Sequence, residues 1–264
     1  CMDLGIRNKT AFVAAASKGL GRGCAEALAN EGARVAICSR HRQELEQTAR
    51  EIGEKTGTDV LAVHGDVTEP AEIANAVESA VARFGPVDIL VTNAGGPPSG
   101  YFDDFSDEDW EAAFRLSFLS AVRMIRKVLP EMRRNGWGRI INLTSVSVTE
   151  PIDNLVLSNS VRASVHGLAK TLSRQEAGKG ITVNNVMPGF TRTDRVEELI
   201  IRPGVEAGKR EEQVLKEAAA KIPAGRIGTP EELGALVAFL ASQWGGYING
   251  VSIPIDGGSI HAAF

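Results

Sequence analysis

The sequence predicts a doubly wound α/β domain, a parallel sheet covered by helices on both faces. Three observations lead there. Short apolar or β-branched runs recur along the chain, each nearly continuous in apolar residues, as strands buried on both faces require. Segments with helical spacing separate them. A glycine-containing turn, Ser17-Lys18-Gly19-Leu20-Gly21, follows the first run and opens a segment rich in small residues.

Taken in order, the strand runs fall at residues 10–15, 34–38, 60–64, 89–93, 139–144, 181–187 and 251–255. Helical spacing occupies 21–30, 42–56, 70–84, 107–134, 155–178 and 230–241. A chain of 264 residues, 43% apolar and 23% charged, buries one large core without a second domain, so residues 1–264 are taken as one unit. In such a sheet, ligands bind outside the carboxyl ends of the strands, which directs attention to the residues just after each run.

Charge and composition exclude several classes. The net charge is −4, with Lys and Arg scattered among carboxylates, so neither nucleic acid nor an anionic membrane is expected as a partner. No apolar run approaches the roughly 18 residues of a membrane span, and the N-terminus lacks a signal peptide's apolar stretch, so the expectation is a soluble cytoplasmic protein. The three cysteines, Cys1, Cys24 and Cys38, are odd in number and lack metal-ligand spacing. Buried, inert thiols are expected, and no metal site.

The first junction suits a pyrophosphate. Glycines at 19 and 21 let the backbone approach it, and the free N–H groups of the helix N-terminus meet its charge. After the second strand, a dinucleotide site holding the ribose 2′-hydroxyl of NAD carries an acid, whereas this chain has Ser39-Arg40. A hydroxyl and a guanidinium suit a 2′-phosphate, with Lys18 meeting it from the other side, so NADP (NADPH) is favoured over NAD. The competing reading makes Lys18 and Arg40 solvated surface charges.

Further junctions are Asp66-Val67, Asn93-Ala94-Gly95 and Pro188-Gly189-Phe190-Thr191-Arg192-Thr193, with Gly138 to Ser145 around the fifth strand and Asp256-Gly257-Gly258 near the end. In this order the motifs span residues 8–258, and the chain resembles the short-chain dehydrogenase/reductase family, in particular 3-oxoacyl-carrier-protein reductases. The resemblance implies a single Rossmann-type domain with a substrate lid at about 193–221. It makes Asp66 and Val67 adenine contacts, and Pro188, Gly189, Thr191 and Thr193 the loop flanking nicotinamide and pyrophosphate. Ser145 becomes the catalytic Ser, and a homotetramer or homodimer is implied. Asn93 has a second reading, a bridge between backbone groups.

The chain departs from the family at defined places. Ala14 and Ala15 stand where its Thr and first Gly belong, and the added methyl of Ala15 restricts a tight turn. Ser158 and Arg162 occupy the positions of the catalytic Tyr and Lys, and Ser117 that of a helix Asn supporting a proton relay. Tyr serves because a neighbouring cation draws its pKa of about 10 toward neutrality. Ser has no comparable acidity, and Arg keeps its proton. General acid-base help is worth roughly 10²–10⁴ in rate, so its loss leaves a slow enzyme rather than none.

The expectation is an NADP-dependent oxidoreductase acting on a small carbonyl or hydroxyl compound, with Ser145, Ser158 and Arg162 as its altered catalytic set. Arg162 has three readings: a fixed positive charge beside the reacting oxygen, a clamp for an anionic substrate group, or a contact to the cofactor ribose. Two other classes stay open, a non-catalytic nucleotide-binding sensor or oligomerising partner, and a lyase or isomerase using the same cleft. His166 continues the stripe from Ser158 and Arg162 but lies about 12 Å along the helix from Ser158, too far to replace Tyr. Asp153 and Asn154 precede that helix, with Asn154 a candidate cap.

Overall fold

The computed structural model describes residues 2–262 and carries one sheet of seven parallel strands in the order β3-β2-β1-β4-β5-β6-β7. The strands are β1 (Thr10–Ala14), β2 (Arg34–Ser39), β3 (Val60–His64), β4 (Ile89–Thr92), β5 (Gly138–Leu143), β6 (Ile181–Pro188) and β7 (Ser252–Ile255). The order reverses between β1 and β4, which opens a crevice at the carboxyl edge of the sheet.

Alternation along β1 shows how the sheet is buried on two sides. Ala11 and Val13 point into one core with α1 (Gly19–Asn30) and α2 (Arg42–Thr56); Phe12 and Ala14 point into the other with α3 (Pro70–Phe84). The expected helix over 107–134 is three pieces: α4 (Asp107–Phe114), a π-helical turn (Arg115–Leu119) and α5 (Ser120–Asn135). Ser106 caps α4 with a reciprocal bond from Asp109. The π-turn buries Ser117, whose hydroxyl has no partner among the described residues.

The long helix α6 (Val156–Glu176) covers the β5 and β6 side. After β6 come the short helices α7 (Asp194–Val196) and α8 (Arg202–Glu206), joined by a π-helical turn (Glu197–Ile201), then α9 (Glu211–Ala220) and α10 (Pro230–Ala241). Thr229 and Glu232 form a capping box that starts α10. Leu155, not Asn154, occupies the cap position of α6, and it makes no side-chain cap bond; the Asn154 carbonyl instead accepts from the Gly100 N–H at 2.8 Å.

The thiols of Cys24 and Cys38 are buried in the two cores, and burial pushes the Cys38 thiol up to about 12. Cys1 lies outside the described residues. No helix of the described residues is long and apolar enough to cross a membrane.

Helices α1 and α10 meet backbone to backbone. A Cβ on Gly23 would stand 2.4 Å from the Pro230 carbonyl oxygen, and one on Gly234 2.4 Å from the Gly23 carbonyl oxygen. Since neither neighbour is a flexible side chain, Gly23→Ala or Gly234→Ala should force the helices apart and cost about 1–3 kcal/mol, read from the urea unfolding midpoint.

Candidate active site

A cavity of about 620 Å³ lies along the carboxyl edge of the sheet. It is lined by the turn after β1 (Ser17, Lys18, Gly19, Leu20), by Ser39 and Arg40 after β2, and by Asp66 and Val67 after β3. Asn93, Ala94 and Gly95 after β4, Ser145 after β5, and Pro188, Gly189, Thr191 and Thr193 after β6 continue it. Ser158 and Arg162 of α6 complete the wall. One continuous space thus gathers the predicted residues, with one exception.

The exception is Gly21. It does not line the cavity; a Cβ there would stand 2.4 Å from the carbonyl oxygen of Ala15, so its requirement is steric, the close packing of α1 on the preceding turn. Ala15 itself adopts φ +47°, the left-handed region that favours glycine. Asn93 Nδ2 donates to the Ala15 carbonyl at 3.1 Å, so this residue, besides lining the cavity, ties the end of β4 to the turn after β1.

The N-terminus of α1 is open to an anion. Lys18 occupies the cap position without a side-chain cap bond, leaving the first-turn N–H groups unsatisfied by side chains. Its ammonium lies 2.5 Å from Asp194 and 3.8 Å from Glu44, and the hydrogen bond to Asp194 raises its pKa. Arg40 lies 3.7 Å from Asp66, whose other carboxylate oxygen accepts from the N–H and hydroxyl of Thr68 at 2.8 Å. Ser39 donates to Ser17 at 3.1 Å, and Ser17 donates to Glu44 at 2.7 Å. Both cations are more than half exposed, so these surface pairs are exchangeable.

At the other end, Ser145 caps the short turn Val146–Val148, accepting from the Ser147 N–H at 3.1 Å. Ser145 also lines the cavity. Ser158 is buried in the first turn of α6, and half-buried Arg162 follows one turn later. Arg162 Nη1 donates to the carbonyls of Leu143 at 3.3 Å and Thr144 at 3.0 Å, and Nη2 to that of Gly95 at 3.4 Å. This edge of the guanidinium therefore faces backbone carbonyls at the ends of β4 and β5, which disfavours the anion-clamp reading.

Several lining residues had no motif to announce them. Glu150 and Ile152 come from the loop after β5, Ile200 and Lys221 from the segment over the cavity, Ser259 and Ile260 from the C-terminal tail. His261 ties that tail down, its N–H and Nδ1 lying 2.8 and 2.9 Å from the Glu150 carboxylate, which these bonds hold below the usual carboxylate range. In the expected lid, Arg202 and Arg210 are exposed and Lys209 pairs with Glu217 at 2.5 Å; the Arg195 side chain lies outside the described residues. Asp153 does not reach the cavity. Among the described residues no group of His, Cys, Asp or Glu has the arrangement to hold a metal ion.

Comparison with known proteins agrees with this arrangement. The sequence profile described as enoyl-(acyl carrier protein) reductase matches residues 14–259. The chain belongs to the short-chain dehydrogenase/reductase family. It is 34% identical over 260 residues to the NADPH-dependent reductase BacG of Bacillus subtilis, covering 97% of this chain and 99% of that one. It is 34% identical over 262 residues to the 3-oxoacyl-[acyl-carrier-protein] reductase FabG of Escherichia coli, covering 97% and 98%. The crystal structure of L-sorbose reductase from Gluconobacter frateurii, complexed with NADPH and L-sorbose, superposes with a TM-score of 0.95 at 32% identity, covering 99% of this chain and 100% of that one.

The strained turn in this family member is testable. A left-handed Ala costs roughly 1–2 kcal/mol, and glycine's extra unfolded-state freedom returns about 0.5–1 kcal/mol of that. Ala15→Gly should therefore stabilise the protein by about 0.5–1 kcal/mol, measured by urea unfolding.

Proposed function

We propose that this chain is an NADPH-dependent reductase of a small carbonyl compound, working with an altered proton-transfer site. The observation that carries the reading is the single cavity joining Lys18 and Arg40 at one end to Ser145, Ser158 and Arg162 at the other. The residues present fit the cofactor. The open N-terminus of α1 suits a pyrophosphate, and the donor set of Lys18, Arg40 and Ser39 suits a 2′-phosphate better than a bare hydroxyl. NADPH dependence of BacG and NADPH in the sorbose reductase crystal support the same choice.

When bound, the reduced nicotinamide supplies a hydride to the carbonyl carbon. The chain's task is then to hold the carbonyl oxygen as negative charge grows on it. Ser145 Oγ–H and Ser158 Oγ–H are the donors at that end of the cavity. Arg162, fastened by the carbonyls of Leu143, Thr144 and Gly95, is a fixed positive charge beside them. Ser158 and Arg162 stand at the two positions the family fills with Tyr and Lys, so no side chain there releases a proton near neutral pH. Water supplies the proton through the serine hydroxyls. Ile152, Phe190, Val196 and Ile200 give the adjoining wall an apolar surface, which suits a compact, uncharged substrate. The segment 193–221 serves as its cover. Exposed Tyr101, Phe102, Trp244 and Tyr247 support assembly as a homo-oligomer, a tetramer or dimer.

Calorimetric titration checks the cofactor. NADPH should bind with micromolar affinity and NADH at least about tenfold more weakly, the scale of one charge-assisted contact. Arg40→Ala should erase most of that preference, whereas equal binding of both cofactors by the parent would reject the 2′-phosphate reading. Asp194→Asn removes a carboxylate that competes for Lys18 and should tighten NADPH about threefold. With NADPH present, turnover on a panel of ketones and aldehydes should fall about 10²-fold in Arg162→Ala, the usual scale for losing one electrostatic donor. A parent that binds NADPH yet transfers hydride to no member of the panel would refute the reductase assignment.

A further inference from the structure

A row of polar side chains crosses the sheet beside the cavity at a single register. Thr92 pairs with Asn142, Asn142 with Asn185, and Asn185 with Ser252, one residue from each of β4, β5, β6 and β7. Their side chains bond in the same sequence. Thr92 Oγ1 donates to Asn142 Oδ1 at 2.7 Å, Asn142 Nδ2 to Asn185 Oδ1 at 3.0 Å, and Asn185 Nδ2 to Ser252 Oγ at 3.0 Å. Thr92, Asn142 and Asn185 are buried, so these bonds take the place of water for the groups they join.

The row has a direction, and it ends on α6. Ser252 Oγ already accepts from Asn185, and its own proton points to His166 Nδ1 at 3.1 Å. Nδ1 is then an acceptor, and the ring proton sits on Nε2, 3.0 Å from Thr144 Oγ1. The Thr144 hydroxyl donates to the Val186 carbonyl at 3.3 Å. Donors and acceptors match along the whole path when the imidazole is neutral and carries Nε2–H.

Thr144 is where this path meets the reaction centre. Its hydroxyl accepts from His166, its carbonyl accepts from Arg162 at 3.0 Å, and the next residue is Ser145. Successive turns of α6 therefore grip one residue from two sides. His166 lies outside the cavity lining.

We propose that His166, as the neutral Nε2–H tautomer, is a positioning residue that locks Thr144 and thereby sets Ser145 and the Arg162 guanidinium for the reaction. The proposal rests on reading the cavity as a reduction site. Protonation of Nδ1 would reverse the bond to Ser252 and place a second cation one turn from Arg162. The charged groups nearest on the same helix, Arg162 and Lys170 one turn to either side, are both cationic, and the facing residues Thr144, Val186 and Ser252 carry no charge. Burial holds the imidazole below its ordinary value. A depressed histidine is protonated first in the unfolded chain, so the stability this arrangement contributes is complete above the ordinary value and declines as pH falls below it.

Nitrogen-15 NMR of the full chain tests the placement without requiring turnover. His166 should appear as the Nε2–H tautomer and titrate below the ordinary imidazole value, and the Arg162 side-chain signal should shift with the same midpoint. An Nδ1–H tautomer, or an Arg162 signal indifferent to that titration, overturns the proposal even if the reductase reading stands. On any carbonyl the parent reduces, His166→Leu should lower kcat about tenfold with KM for NADPH unchanged. His166→Gln, whose amide can donate to Thr144, should keep kcat within about threefold and lose the acid limb of the parent's pH profile. A His166→Leu protein with parental kcat and only a lower unfolding midpoint makes the residue mere packing and rejects the proposal. If His166→Leu does not fold, an acid limb retained by His166→Gln does the same. Absence of turnover in the parent refutes the reductase reading alone and leaves the NMR result to decide this one.

Discussion

Parallel pairing in register is the constraint on which the rest of the molecule depends. From β3 to β7 every neighbour runs the same way, so each strand delivers its carboxyl end to one edge of the sheet. That edge places Lys18, Arg40, Asp66, Asn93, Ser145 and Pro188 in one cavity although they are scattered along the chain. The same register aligns Thr92, Asn142, Asn185 and Ser252 into a row of hydrogen bonds, which a one-residue slip of any strand would turn to the opposite face. Geometry of the sheet and geometry of the site are therefore one property.

The nucleotide end of the cavity is built from opposed charges. Lys18 is shared by Asp194 and Glu44, and Arg40 leans on Asp66. Such pairs contribute little to stability on an exposed surface, but they keep long side chains near the place where an anion would enter. Asp194 begins a segment that lines the cavity, so Lys18 also links the glycine turn to that segment. An incoming phosphate would compete with Asp194 for the same ammonium.

Sequence reading captured what position dictates and missed what distance conceals. Residues after each strand were legible because a glycine turn, Ser39-Arg40 or Asn93-Ala94-Gly95 has a chemical meaning at a strand end. Gly21 was read as a ligand contact because a glycine's steric reason, the Ala15 carbonyl beneath it, leaves no mark in sequence. The break at 115–119 was invisible since a π-helical turn keeps helical spacing on either side of it. Glu150 and His261 lie 111 positions apart, and no local pattern connects them. Asn154 had the composition of a cap, yet the chain enters α6 at Leu155 with the Asn154 carbonyl already bonded to Gly100.

His166 shows the same limit in its sharpest form. Measured along the helix from Ser158, it lies too far to stand in for Tyr, and it lies outside the cavity lining. What the helix alone cannot reveal is that the sheet brings Thr144 and Ser252 to it. Arg162 follows the same logic: a guanidinium with its Nη1 protons committed to two carbonyls is a poor gripper of substrate but a rigid charge. A rigid charge stabilises a developing oxyanion without reorganising, whereas a mobile one must be ordered during the reaction. On α6 the guanidinium is fastened by the carbonyls of Leu143, Thr144 and Gly95, and the polar row reaches the same point through His166 and Thr144.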